Sequence, residues 1–186
     1  MGGRNWYTSL HGAVQWQLQQ MLRMVYTGAG RRVVTEDHYG SMAYSPLHRP
    51  DITAFSAVDA GVHLLLEVTI MRVATVSMAN RAAVGRPGAA LVARQEAKRA
   101  DYGVVAPHRV VVWAMDEYGM LSPDAWQLLR GCAALRGDRL DLEHDDSTWA
   151  ARTFSAFWRQ RLSVAFARAK ADVILQRARA DWLRGQ

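Results

Sequence analysis

Apolar side chains recur every three or four positions in several segments of the chain, and this period predicts amphipathic helices. The segment His11–Val25 has this period, and Ala89–Tyr102 is rich in the strong helix formers Ala, Gln, Glu, Lys and Arg. Ser122 is the expected N-cap of a third helix, from Pro123 to about Leu135. A long fourth helix, with at most one break, is predicted over Trp149–Arg184, with this inward stripe: Phe154, Trp158, Leu162, Ala165, Ala169 and Val173.

Four shorter segments have the alternating or continuous apolar pattern of β-strands. They are residues 31–37, 51–57, 62–73 and 109–115. The turn at Gly61 joins the second and third strands as a hairpin, and the third is aliphatic almost throughout, as expected for a central strand. The element order is α, β, β, β, α, β, α, α. It predicts an α/β fold with a mixed central sheet of about four strands flanked by helices, and a long C-terminal helix.

The composition is that of a globular protein, since half of the 186 residues are hydrophobic and 22% are charged. One cysteine, Cys132, cannot form an internal disulfide, and no Cys/His cluster has the spacing of a structural zinc site. The six histidines have no mutual ligand spacing and are expected at the surface or in turns. The longest uncharged run, Asn5–Leu22, contains Gln, Asn and His, so we predict no membrane span.

Positive charge is concentrated at the two ends of the chain. Residues 149–186 contain eight basic and two acidic residues, and the first 35 residues contain four arginines and no acid. The centre, residues 36–148, has eleven basic and fifteen acidic residues. This distribution suits a divalent-metal site served by a polyanion-binding surface. The simpler interpretation is a solvated helix in an arginine-rich chain, which has 21 Arg but only Lys98 and Lys170.

The same patterns divide the chain into three parts. Residues 1–136 are predicted to form the core domain, residues 137–148 an acidic polar connection, and residues 149–186 a basic C-terminal helix. The acid-free N-terminus also has the composition of an organellar targeting segment. We favour the interpretation that it is the first helix of the fold, and the compartment stays open.

Two acidic residues on neighbouring strands are candidates for a metal site. Asp51 begins the second strand, and Glu67 lies in the third on the same face as Leu65 and Thr69. Strands lie about 4.8 Å apart, so facing carboxylates could share one hard cation. The alternative is structural: Asp51 starts a strand or turn, and Glu67 points to water from a one-sided sheet.

The order and spacing of several short motifs resemble the restriction-like endonuclease domain of site-specific non-LTR retrotransposons, a branch of the PD-(D/E)xK nuclease superfamily. The likeness covers roughly residues 11–175. Its motifs are Arg49–Ile52, Leu65–Thr69, Glu96–Tyr102, Val112–Gly119 and, less closely, Phe157–Leu162. The resemblance implies a restriction-endonuclease-like α-β-β-β-α-β core.

The resemblance implies a Mg²⁺ or Mn²⁺ site and catalytic roles for three residues. Asp51 and Glu67 would be the metal ligands, with the backbone carbonyl of Val68 as a possible third. The superfamily's usual lysine, two positions after the acid, is replaced here by Thr69. A hydroxyl cannot supply a cation. In the retrotransposon branch the lysine lies on the following helix, and Lys98 matches that place.

Besides these catalytic candidates, Glu36, Arg94 and Tyr102 are accessory candidates. Arg94, Lys98 and Tyr102 are four positions apart, so they share one helix face that could point to the carboxylates. Glu36 follows the first strand, where many members of the superfamily have an acid, and the resemblance implies that it serves a second metal ion or the attacking water.

Two functions are therefore expected as alternatives. The first is a metal-dependent DNA endonuclease that nicks DNA, nuclear if it belongs to an active retroelement. The second is a catalytically inactive nuclease fold that binds RNA or protein within a ribonucleoprotein assembly. In either case the expected nucleic-acid contacts lie near or on the last helix: Arg152, Arg159, Arg161, Arg168, Lys170 and Arg177.

Overall fold

A computed structural model describes most of the protein in seven ranges of the chain. These ranges are residues 4–27, 31–35, 50–59, 61–72, 86–102, 108–137 and 151–185. Within them the chain forms four helices and four strands. In chain order these are α1 (Arg4–Val25), β1 (Arg32–Thr35), β2 (Ile52–Asp59), β3 (Val62–Met71), α2 (Ala89–Tyr102), β4 (Arg109–Asp116), α3 (Pro123–Arg136) and α4 (Phe154–Arg184).

The ends of the helices follow their capping residues. As predicted, α3 begins behind Ser122, whose hydroxyl accepts a hydrogen bond from the Ala125 N–H at 3.4 Å. The start predicted for the last helix, Trp149, is wrong. α4 begins at Phe154 because Thr153 caps it, with its side chain accepting from the Ala156 N–H at 3.2 Å. α4 then continues without a break to Arg184.

The four strands form one mixed sheet in the order β1-β2-β3-β4, which confirms the predicted α/β class. β1 and β3 both pair antiparallel with β2, whereas β4 pairs parallel with β3. The parallel pair requires a crossover, and α2 lies within it. β3 is therefore a central strand, buried along nearly its whole length, and this explains its aliphatic sequence.

The sheet is covered on both faces, and alternation along β3 decides which residues meet which layer. One face of β3 and β4 joins a large core with α1, α3 and α4. The residues of these two strands in that core are Leu64, Leu66, Val68, Ile70, Val111, Trp113 and Met115. On the opposite face Val112 and Ala114 pack against Leu91 of α2. Glu67 pairs with Val112 across the ladder, so Glu67 faces α2.

The first part of α4 belongs to the same core, and the last part does not. Its buried residues are Phe154, Phe157, Trp158, Leu162, Phe166 and Val173, while Ala165 and Ala169 of the predicted stripe are half-buried. Beyond Val173 the apolar residues are exposed: Ile174, Leu175, Trp182 and Leu183. Among the described helices, none combines the length and apolar character that crossing a membrane requires.

A bulge interrupts the β2–β3 ladder, and two histidines support it. The register shifts between Ala54 and Asp59, and Ser56 has a positive φ of 49°. The Ser56 N–H donates to His63 Nδ1 at 3.3 Å, and the His63 N–H donates to His108 Nδ1 at 3.2 Å. The two rings stack at 4.6 Å. His63 is buried, whereas the sequence predicts the histidines at the surface or in turns. Burial lowers the pKa of His63, and the charge of His108 lowers it further.

We expect the free energy of unfolding to fall as the pH drops below about 6.5, because the unfolded chain binds a proton at His63 that the folded chain resists. His63→Gln keeps an acceptor for the Ser56 N–H but cannot titrate. Its stability should therefore depend less on pH between about 7 and 5. Urea denaturation across this range measures the difference, and equal acid dependence in both proteins would contradict the role of His63.

Candidate functional site

Asp51 and Glu67 occupy facing positions on neighbouring strands. Ile52 of β2 pairs with Leu66 of β3, and one further step along this antiparallel register places Asp51 opposite Glu67. Facing residues of two strands point to the same side of a sheet. The side chains of Asp51 and Glu67 are only 13% and 11% exposed, so the alternative in which Glu67 points to water is wrong.

α2 places a row of polar side chains on the face of β3 that contains Glu67. Arg94 Nε donates to Thr69 Oγ1 at 3.3 Å, and Lys98 Nζ lies 2.8 Å from Glu67 Oε1. Arg94 and Lys98 are four residues apart on the helix, and Thr69 and Glu67 are two residues apart on the strand. Both separations are about 6 Å, so each helix residue lies beside its partner on the strand. The helix face predicted to point to the sheet does so.

Tyr102 completes the contacts of the Glu67 carboxylate. Its hydroxyl donates to Glu67 Oε2 at 2.6 Å. Burial raises the pKa of Tyr102 far above its ordinary range, and the hydrogen bond to Glu67 and the negative charges of Glu67, Asp51 and Asp101 raise it further. Tyr102 is thus a neutral donor at physiological pH, and each oxygen of Glu67 has a partner from α2.

Contacts with α3 hold α2 in this position. Gln95, the buried residue between Arg94 and Lys98, accepts a hydrogen bond from the Asp124 N–H at 3.0 Å. Arg99 pairs with the Asp124 carboxylate, which also accepts from the Val112 N–H at 3.3 Å. These contacts join α2, α3 and β4, and so they fix where Lys98 and Tyr102 lie.

Asp51 lies directly before β2, and its side chain contacts the backbone of β3. The Val68 N–H donates to Asp51 Oδ2 at 2.5 Å, and the Val68 carbonyl lies 3.1 Å from His11 Nε2 of α1. His11 Nε2 also lies 3.2 Å from Asp51 Oδ2, and Gln15 donates to the Asp51 backbone carbonyl at 2.9 Å. The side chains of Asp51 and His11 thereby contact the N–H and the carbonyl of Val68, which within the described ranges pairs with no residue of β2.

His11 is the site residue that the sequence interpretation missed. A signal was present, because His11 is three and seven positions before Val14 and Leu18, which both face the core. A histidine in that register points inward from α1. What the sequence could not supply was the packing of α1 beside the start of β2, which brings His11 to the Val68 carbonyl.

The oxygen atoms of this cluster have the chemistry that Mg²⁺ and Mn²⁺ prefer. Within the described ranges no hydrogen-bond donor contacts Asp51 Oδ1, so this oxygen can bind a metal ion. The Val68 carbonyl, the possible third ligand, already contacts His11. No group of three or more His, Cys, Asp or Glu residues in the described part of the chain could hold a metal ion. The two carboxylates have the chemistry of metal ligands, and both oxygens of Glu67 and the Oδ2 atom of Asp51 are already in contact with protein groups.

The predicted nucleic-acid contacts on α4 divide between two sides of the helix. Arg161 and Arg168 are seven positions apart and share one side. Arg159 and Lys170, eleven apart, share the opposite side, and Arg177 continues it. The apolar stripe of α4 lies between the two sides, so one duplex cannot contact all of these residues along a single face of the helix.

Two of the predicted site residues, Arg152 and Glu36, are not part of α4. Arg152 is exposed and precedes α4, and Glu36 lies outside the described residues. Lys170 is held in place, because its ammonium donates to the Glu117 carbonyl at 3.2 Å. Arg159 stacks on the ring of Trp126 at 4.9 Å.

Comparison of the sequence with protein-family models and with curated proteins finds no match. The chemistry of the site itself is therefore the basis for assigning a function. Its described part is a buried pair of carboxylates with a lysine, a neutral tyrosine and a histidine around it.

Tyr102→Phe tests the contribution of the tyrosine to the cluster. Loss of its hydrogen bond to Glu67 should lower the free energy of unfolding by about 1–2 kcal/mol at neutral pH. Because folding raises the pKa of Tyr102, the protonated tyrosine stabilises the fold at pH values below its pKa in the unfolded chain, about 10. This stabilisation is lost as the pH rises above that value. The variant should therefore lose stability less steeply than the wild type in alkaline solution.

Tyr118→Phe is the matched control, because Tyr118 is 77% exposed. Denaturant titrations of the three proteins at several pH values between about 8 and 11 make the comparison. If the alkaline slopes of wild type and Tyr102→Phe coincide, Tyr102 is not the buried neutral donor that its contacts indicate.

Proposed function

We propose that this protein is a metal-dependent DNA endonuclease with a restriction-endonuclease-like fold, and that it nicks DNA. The observation that carries the proposal is the facing pair Asp51 and Glu67 with the Lys98 ammonium 2.8 Å from Glu67. The element order α-β-β-β-α-β and the mixed sheet around β3 support the fold assignment. The motif resemblance supports both.

Asp51 and Glu67 are the residues that would hold Mg²⁺ or Mn²⁺, and the Val68 carbonyl is the third candidate. The bound ion would supply a more acidic water and positive charge next to the scissile phosphate. Lys98 balances one of the two carboxylate charges in the protein itself.

Three α2 side chains take part in the proposed chemistry through their own charges and protons. Lys98 places an ammonium beside the carboxylates, where it orients water and offsets phosphate charge. Tyr102 keeps its proton and fixes the rotamer of Glu67 through the bond to Oε2. Arg94 brings a guanidinium to Thr69, so a cation from α2 stands at the position where the superfamily has its lysine.

Nicking of supercoiled plasmid with Mg²⁺ or Mn²⁺ tests this function. We expect the wild type to convert supercoiled to open-circular DNA. Asp51→Asn, Glu67→Gln and Lys98→Met should each reduce the rate by about 100-fold or more, because each removes a charge needed in the reaction. Loss of nicking in EDTA is also expected.

Glu96→Gln is the matched control, since Glu96 is an exposed acid on the same helix and should leave the rate unchanged. Circular dichroism and thermal unfolding identify any variant that is merely unfolded. Equal nicking by wild type and by folded Asp51→Asn and Lys98→Met variants would refute the endonuclease assignment.

A second candidate is a non-catalytic nuclease fold that binds RNA or protein in a ribonucleoprotein assembly. One observation favours it: the charged cluster already has internal partners. Both oxygens of Glu67 contact α2, and Asp51 Oδ2 caps the Val68 N–H. Such a cluster can serve purely to stabilise the fold.

Calorimetric titration with Mn²⁺ separates the two candidates. The endonuclease predicts heat of binding that Asp51→Asn and Glu67→Gln abolish. The scaffold predicts no binding of Mn²⁺ but salt-dependent binding of RNA. Charge reversal at Arg159, Arg161 and Arg168 should then abolish RNA binding, and unchanged binding would contradict the scaffold.

A further inference from the structure

A long groove runs between α1 and α4, on the side of α1 away from the carboxylates. It encloses about 1290 Å³. We call it the α1–α4 groove, and the residues that define it here are Ala13, Trp16, Gln17, Phe157, Arg161 and Arg168. Ala13 and several residues of α4 that line the groove have short side chains, which leave the space between the helices unfilled. The groove is therefore open to a flat ligand.

An aromatic side chain stands in the wall of this groove. Trp16 is 51% exposed, although its neighbours Leu18 and Val14 are fully buried. The second aromatic residue, Phe157, is buried beneath the groove and contacts the Arg161 guanidinium, 5.4 Å from the ring centre. An exposed indole beside a rigid helix is a stacking platform for a planar group.

A buried hydrogen-bond acceptor lines the same groove. Gln17 is only 8% exposed, and within the described ranges its Oε1 atom has no hydrogen-bond partner. Burying an acceptor without a donor is unfavourable, so an unpaired oxygen in a groove indicates a ligand that supplies an N–H or O–H. This observation is independent of Trp16.

The groove is basic on its α4 side. Arg161 and Arg168 lie seven positions apart along α4, and Asp172 is the acidic residue among those that line the groove. Seven helical residues span about 10.5 Å, so the two long guanidinium side chains can contact two phosphates of one extended strand. The charge therefore favours a polyanion over an apolar peptide helix.

We infer that the α1–α4 groove binds single-stranded nucleic acid. An unpaired base stacks on Trp16 and donates an N–H from its pairing edge to Gln17 Oε1, which reaches the groove surface when the Gln17 side chain rotates, while Arg161 and Arg168 contact phosphates. A duplex cannot bind in this way, because its bases are stacked and their N–H groups are paired. The choice of nucleic acid as the ligand class rests on the proposed function.

The groove lies close to the proposed cleavage site. Gln15, next to Trp16 in sequence, contacts the Asp51 backbone, and His11 contacts its carboxylate. α1 thus separates the groove from Asp51 by about one helix diameter, roughly 10 Å. An unpaired strand held in the groove would leave the adjoining duplex next to the carboxylates.

Fluorescence anisotropy in EDTA tests the groove without any cleavage. Labelled single-stranded oligonucleotides of about 12 nucleotides should bind more tightly than duplexes of the same sequence. Trp16→Ala should weaken single-strand binding about tenfold, whereas Trp182→Ala, at an exposed tryptophan near the end of α4, should not. Equal affinities of wild type and Trp16→Ala, or a preference for duplex, would overturn the inference.

Two further variants probe the polar contacts. Arg168→Gln should weaken binding and reduce its salt dependence, with Arg179→Gln as the control on an exposed part of the same helix. Gln17→Leu should weaken binding about fivefold and yet raise the melting temperature, since it removes an unpaired buried oxygen. Unchanged binding by Gln17→Leu would contradict the base contact.

The outcomes separate this inference from the proposed function. Single-strand binding without plasmid nicking would overturn the endonuclease and keep the groove. Nicking that Trp16→Ala and Arg168→Gln leave unchanged, together with no single-strand binding, would overturn the groove and keep the endonuclease. Binding of an amphipathic peptide in place of nucleic acid would also overturn the groove assignment.

Discussion

The burial of one carboxylate, Glu67, in the central strand is the constraint on which the neighbouring structure depends. A buried carboxylate without partners is unstable by several kcal/mol. Lys98 and Tyr102 supply the charge and the proton that it needs, and they do so from a single helix. The position of α2 is in turn fixed through Gln95 and Arg99, which contact α3. The crossover between β3 and β4 is thereby tied to the site.

The sequence was informative where a local period decided the outcome. The ends of α2 and the face of Glu67 follow from helix composition and strand alternation, and both agree with the structure. The spacing of Arg94, Lys98 and Tyr102 was sufficient to predict their common direction, because it depends only on helix geometry. These are properties of single elements, and they survive folding unchanged.

Features that depend on two elements at once could not be predicted in the same way. Phe157 and Phe166 are buried because α4 packs between α1 and α3, which makes its apolar stripe wider than the predicted one. The role of His11 depends on the packing of α1 beside the start of β2, where the Val68 N–H contacts Asp51 and the Val68 carbonyl contacts His11. The division of basic residues between two sides of α4 became meaningful once the packed stripe between them was known.

The two parts of α4 are supported very differently. Up to Val173 the helix is held by the core, whereas its last eleven residues bury no apolar side chain. A helical segment of that length is only marginally stable on its own. Amide protons of the final turns should therefore exchange with deuterium oxide orders of magnitude faster than those between Phe154 and Val173. The two parts of this continuous helix then unfold locally and independently of each other.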